Sequence, residues 1–167
     1  MFKKEKIEDL KVNLIKAIHL DWPVLTVKDN NKVNGMTVNW VQLGYLWNKH
    51  VVTVYVRPQR HTFPLINEEE TFSLAFFPES EKDNLAYLGK ASGRDEDKLA
   101  HCNYTVLWEK GTPVIEQANM VFICKKRYVS NLKLEEFQDQ SIVDNCYAHH
   151  DFHHVFVAEI TEVLIKE

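Results

Sequence analysis

Residues 50–56 read His-Val-Val-Thr-Val-Tyr-Val, and this run constrains the fold more than any other stretch. β-Branched and aromatic side chains suit a pleated, half-buried surface, so the run predicts a strand. His50, Val52, Val54 and Val56 share one face of it, and Val51, Thr53 and Tyr55 the other. Pro58 lacks an N–H and has a fixed φ, which ends the strand there. Arg57 and Arg60 flank this rigid turn, with Thr62 close behind. Two guanidinium forks and a hydroxyl at a strand end suit an anion such as a phosphate. A solvated strand end is the other reading, and spacing alone does not separate the two.

The rest of the chain repeats the strand signal without a regular alternation of helices. Residues 24–27 and 36–41 predict two strands of a hairpin, with the turn Lys28-Asp29-Asn30-Asn31 between them. In the second strand Thr37 and Asn39 share a face that can edge-bind a polar heterocycle. Tyr45, Leu46 and Trp47 form either an apolar lip or core. Residues 71–77, 115–126 (interrupted near Ala118 and Asn119) and 154–165 predict further strands. Ile7, Leu10, Leu14, Ile15 and Ile18 predict one amphipathic helix ending before Pro23. A second helix follows Pro78, with Ser80 as its N-cap and Leu85 and Leu88 on its buried side. Asp95 is placed to cap a further short helix. About six hairpin-linked strands with few helices disfavour a parallel sheet and point to an antiparallel barrel with flanking helices.

Composition narrows the function. A chain of 167 residues, 45% hydrophobic and 26% charged, is expected to form a single domain over residues 1–167. A net charge of −4 argues against general nucleic-acid binding, so a local basic cluster points to one small anion. No apolar run reaches membrane-spanning length, and the N-terminus lacks the apolar core of a secretory signal. Cys102, Cys124 and Cys146 show no CxxC spacing and suit free thiols in a reducing cytosol. The loop Ser92-Gly93-Arg94 with Lys98 reads either as a capped turn or as an anion cradle. Residues 146–154, CYAHHDFHH, are rich in metal-ligand types. In an extended segment His149 and His150 point apart, so a closed tetrahedral site needs a tight turn at Asp151, and no metal is assigned. Glu116 and Glu159 read as partnered charges on strands rather than as an acid–base pair.

The motifs NGMTVNW, GYLWNKHVVTVYVRPQRHTF, FSLAFF, LGKASGRDEDK and FVAEITEVL, in that order, resemble the flavin reductase-like family of FMN-binding split barrels. The flavoredoxin-like branch is the most similar. The resemblance runs from about residue 22 to residue 164. It implies a homodimer of six-stranded antiparallel split barrels that hold FMN non-covalently near the dimer interface. It implies that Met36, Thr37, Val38, Asn39 and Trp40 lie along the isoalloxazine ring. Arg57, Pro58, Arg60 and Thr62 would line the flavin and its phosphoribityl tail, and Ser92, Gly93, Arg94 and Lys98 would complete the phosphate end. It further implies NAD(P)H-dependent reduction of flavin or a downstream acceptor by hydride transfer to flavin N5. A flavoredoxin-like electron carrier with a protein redox partner is the alternative. No catalytic nucleophile or base is implied. His50 stands where many relatives have proline, and His61 where tyrosine is common, which bears on the shape of the pocket mouth.

Overall fold

A computed structural model describes all 167 residues. Ten strands form: β1 (Phe2–Glu5), β2 (Val24–Asp29), β3 (Lys32–Thr37), β4 (Val41–Leu46), β5 (Lys49–Val56), β6 (Thr71–Phe76), β7 (Val106–Glu109), β8 (Thr112–Ile115), β9 (Met120–Asn131) and β10 (His154–Lys166). The helices are α1 (Leu14–Lys16), α2 (Thr62–Glu68), α3 (Lys82–Lys90), α4 (Lys98–His101) and α5 (Gln140–Cys146).

The main sheet runs β3-β2-β6-β9-β10-β5-β4, with β1 added to β10, and its pairings are antiparallel. Its two end strands, β3 and β4, are joined by Val38, Asn39 and Trp40 alone. Such a link spans at most about 14 Å, so the sheet must roll until its ends nearly meet. No ladder joins β3 to β4, and the result is a split barrel. The 36–41 strand expected from sequence is therefore two strands. The chain leaves β3 after Thr37, Val38 N–H donates to Pro23 O at 2.8 Å, and β4 starts on the far side of the split.

Period-two alternation fills both sides of the sheet. Leu25, Val52, Val54, Val56, Phe72, Leu74, Phe122 and Phe156 pack the barrel interior. Val24, Ala75, Val121 and Ile123 face outward on the same strands and meet Leu85, Leu88, Leu99 and Ile115. Residues 72–76 are buried on both faces because β8 covers the outer one, where Ser73 Oγ donates to Pro113 O at 2.6 Å. Burial of this kind contributes about 25 cal/mol per Å².

Several local expectations are corrected. Residues 7–18 do not form one helix. A 3₁₀ turn at Ile7–Asp9 is followed by α1, which Asn13 caps by accepting from Lys16 N–H at 3.0 Å, and a π turn at Ala17–Asp21. Ser80 is not a helix cap, because a 3₁₀ turn at Glu79–Glu81 leads into α3. Asp97, not Asp95, caps α4, accepting from Ala100 N–H at 3.0 Å. Tyr45, Leu46 and Trp47 are not core; they lie 66%, 43% and 52% exposed at the β4–β5 edge. The interruption near Ala118 is real and separates β8 from β9.

Candidate functional site: a basic cleft at the barrel split

Three chain segments converge where the barrel is split. The end of β3 and its link to β4 supply residues 36–40. The turn after β5 supplies residues 57–62, and the loop between α3 and α4 supplies residues 90–98. They line two adjoining cavities of 480 and 190 Å³ that share Met36, Arg57 and Arg60. Together they fall within the range of about 300–1,000 Å³ of small-molecule sites.

The smaller cavity is bounded by Met36, Thr37, Val38, Asn39 and Trp40 with Tyr55 and His153. Thr37 Oγ1 donates to Leu85 O at 2.6 Å, which ties this wall to α3. The larger cavity carries the charge: Arg60, Lys90, Arg94 and Lys98, with Thr62, His61, Ser92 and Gly93. Pro58 shapes the turn but lines neither cavity. Every other residue expected to line the flavin borders this one cleft.

The loop closes on the barrel because Gly93 has no side chain. A Cβ there would lie 2.3 Å from Asn34 Oδ1 and 2.9 Å from His61 Cδ2. Asn34 is fixed in turn by donating to Thr62 Oγ1 at 2.8 Å. The guanidiniums are steered by backbone oxygens: Arg60 donates to Gly89 O at 3.2 Å, and Arg94 to Gln59 O at 2.9 Å.

Lys98 is 5% exposed and donates to Leu88 O at 3.0 Å. An ammonium has three N–H bonds, so one is spent on that carbonyl. Burial, aided by the charge of Arg60, pulls the Lys98 pKa down to about 8. The cations differ in their partners. Arg57 pairs with Asp151, whereas Arg60, Lys90, Arg94 and Lys98 have no carboxylate partner. His61 Nε2 lies 2.9 Å from Asp29 Oδ2.

The histidine-rich segment enters the site through His153. His149 and His150 are exposed, and no group of three metal-ligating side chains gathers there. His153 is buried instead, its Nδ1 2.8 Å from the Tyr147 hydroxyl and its ring 4.6 Å from that of Trp40. Burial and the nearby Arg57 hold its pKa down to about 4, so it is neutral at pH 7. Tyr55, His61, Gln59 and Lys90 also line the cleft without having been singled out as site residues. Glu159 is a partnered surface charge, joined to Lys49 at 2.9 Å and to Arg127. The three cysteines are free.

Comparison with known proteins agrees with this architecture. Flavoredoxin from Methanosarcina acetivorans is 21% identical, with 99% of this chain and 76% of that one covered and a TM-score of 0.70. An FMN-binding protein from Thermus thermophilus, solved with bound p-hydroxybenzaldehyde, is 25% identical, covers 85% and 69%, and scores 0.65. An NADH:FAD oxidoreductase from Streptomyces globisporus is 15% identical, covers 87% and 75%, and scores 0.65. A search of curated proteins returned no match. The family model for the flavin reductase-like domain matches residues 20–167. The fold and that match together place the chain in the flavin reductase-like domain family.

Proposed function

We propose that the chain is an FMN-binding oxidoreductase that takes a hydride from NADH or NADPH and passes electrons to flavin or another acceptor. The observation that carries this reading is the division of one cleft into two ends of different chemistry. One end has four cations without carboxylate partners, one of them a buried ammonium with N–H groups left over. The other is a wall of backbone and aromatic side chains.

These residues fit the cofactor the family implies. Arg60, Arg94 and Lys98 would hold the phosphate through charge-assisted hydrogen bonds, with Ser92 and the Gly93 backbone beside them. Residues 36–40 would run along the isoalloxazine edge, with Arg57 and Thr62 between the two ends. FMN, when bound, supplies two-electron redox chemistry, accepting hydride at its N5. The protein binds and orients the flavin and keeps one ring face open to the nicotinamide. Neutral His153, with the Trp40 ring tilted against it, bounds that face without bringing a charge to it.

The resemblance also implies a homodimer. The exposed apolar edge at Tyr45, Leu46, Trp47 and Tyr128 supports one, since apolar patches of this kind commonly mark interfaces. No helix is long and apolar enough to cross a membrane. With three free thiols, the proposed compartment is the cytosol.

The test is a visible spectrum of the purified protein with added FMN, followed by anaerobic NADH or NADPH. Flavin bands that appear and bleach on nicotinamide addition support the reading. Bands that bleach only with a reduced protein donor assign a flavoredoxin-like carrier. No uptake of FMN overturns both.

A further inference from the structure

Arg57 differs from the other cations of the cleft because the chain already neutralises it. Its Nη1 pairs with Asp151 Oδ2, and its Nη2 donates to Cys146 O at 2.8 Å. Gln59 Nε2 donates to the same Asp151 oxygen at 2.6 Å. The Tyr147 ring lies under the guanidinium, 5.2 Å from its carbon. These bonds spend two of the five guanidinium N–H groups and leave three. The pair therefore presents fixed donors with little net charge. Such a group suits a neutral ring carbonyl better than a dianionic phosphate, for which Arg60, Arg94 and Lys98 have no carboxylate neutralising them.

Asp151 also has a mechanical position. It lies 94 residues from Arg57 in sequence, between α5 and β10. Its bond to Arg57 draws residues 147–153 across the ring end of the cleft. That segment carries Tyr147 and His153, joined to each other at 2.8 Å, and His153 meets Trp40. Releasing Asp151 would free the arginine and the wall beside it together.

We propose that Asp151 is a positioning residue that fixes Arg57 as a ring-end donor and ties residues 147–153 as a strap over the flavin site. The proposal rests on the flavin-binding reading above. It narrows that reading: Arg57, set there between the two ends, serves the ring, and the phosphate stays with Arg60, Arg94 and Lys98.

The experiment compares wild type with Asp151→Asn and Asp151→Glu. In the flavin-free protein, amide hydrogen exchange over residues 147–153 should rise in the asparagine variant and return towards wild type in the glutamate variant. FMN and riboflavin should lose affinity for Asp151→Asn by the same factor, about tenfold, the scale of one charge-assisted hydrogen bond. The midpoint potential of bound FMN should move positive, because removing the carboxylate leaves Arg57 uncompensated beside the ring. A merely structural role would leave that potential unmoved, and an unmoved potential overturns the proposal. Tighter FMN binding with unchanged riboflavin binding also overturns it, since Asp151 would then occupy the place of the phosphate. Should wild type bind neither flavin, the functional reading falls by itself; exchange that still rises supports the strap, and unchanged exchange overturns it.

Discussion

Asn34 donates its side-chain amide to Thr62 Oγ1 at 2.8 Å, linking β3 to the first turn of α2 inside the wall of the cleft. Both residues are buried, at 5% and 2% exposure, and Thr62 Oγ1 also contacts Met36 Sδ at 3.4 Å. A buried amide that loses its acceptor bears its desolvation cost unrelieved. Thr62→Val should therefore lower unfolding free energy by about 1–3 kcal/mol, measured by urea denaturation. A change below about 0.5 kcal/mol, the scale of an ordinary surface substitution, would contradict this role.

Gly93→Ala should damage the site by geometry alone. The new Cβ would meet Asn34 Oδ1 and His61 Cδ2, and Asn34 is held by Thr62 rather than free to swing. Displacement of the loop should cost about 1–3 kcal/mol in stability, as overpacking does. FMN affinity should fall with it, since Ser92, Arg94 and Lys98 sit on the displaced segment. Calorimetric titration of FMN checks the second effect, and wild-type affinity would refute it.

Lys98 gives the cleft a pH dependence. Burial holds its pKa near 8, below the ordinary 10.5. FMN affinity should fall as pH rises through about 8, where the free protein loses the ammonium, while riboflavin affinity stays level. Stability should move the other way. Between about 8 and 10.5 the unfolded chain keeps a proton that the folded chain has released, so this group makes stability rise with pH there. Lys98→Met should abolish both trends and weaken FMN binding by about 1.5–3 kcal/mol. Parallel loss of FMN and riboflavin affinity would remove Lys98 from the phosphate end.

His153 acts in acid. Its pKa is held near 4 against an ordinary 6.5, by burial first and by Arg57 second. Between those values the unfolded chain takes up a proton that the folded chain refuses, so stability falls as pH drops from 6.5 towards 4. Denaturation midpoints at pH 7 and pH 5 should separate more in wild type than in His153→Gln. Equal separations would show that the imidazole is not buried as described.

The parts of this molecule that were legible in the sequence are those decided locally. The 50–56 run forms β5 because its side chains, its proline stop and its alternation agree. Residues 71–77 and 154–165 were legible for the same reason. β1 was not, because Phe2–Glu5 has a single large apolar residue and becomes a strand only by pairing with Val163–Lys166, at the other end of the chain. α5 was not legible either, because only Val143 of its residues is buried. Within the cleft, type and spacing left the arginines and the Gly93 loop open between two readings, and the ordered motifs of the resemblance decided for the site. The bond from Asp151 to Arg57 was not legible, since contacts across 94 residues leave no periodic trace. That pairing turns the most suggestive metal-binding segment of the sequence into a wall of the site.

The measurement that tests the account most directly is a calorimetric titration of the flavin-free protein with FMN and, separately, with riboflavin. The two ligands share a ring and differ in the phosphate, so their difference reads the cationic end of the cleft alone. The account predicts that both bind and that FMN binds at least about tenfold tighter, the scale of one charge-assisted hydrogen bond, with the gap closing in Lys98→Met. Equal affinities, or no binding of either, would contradict it.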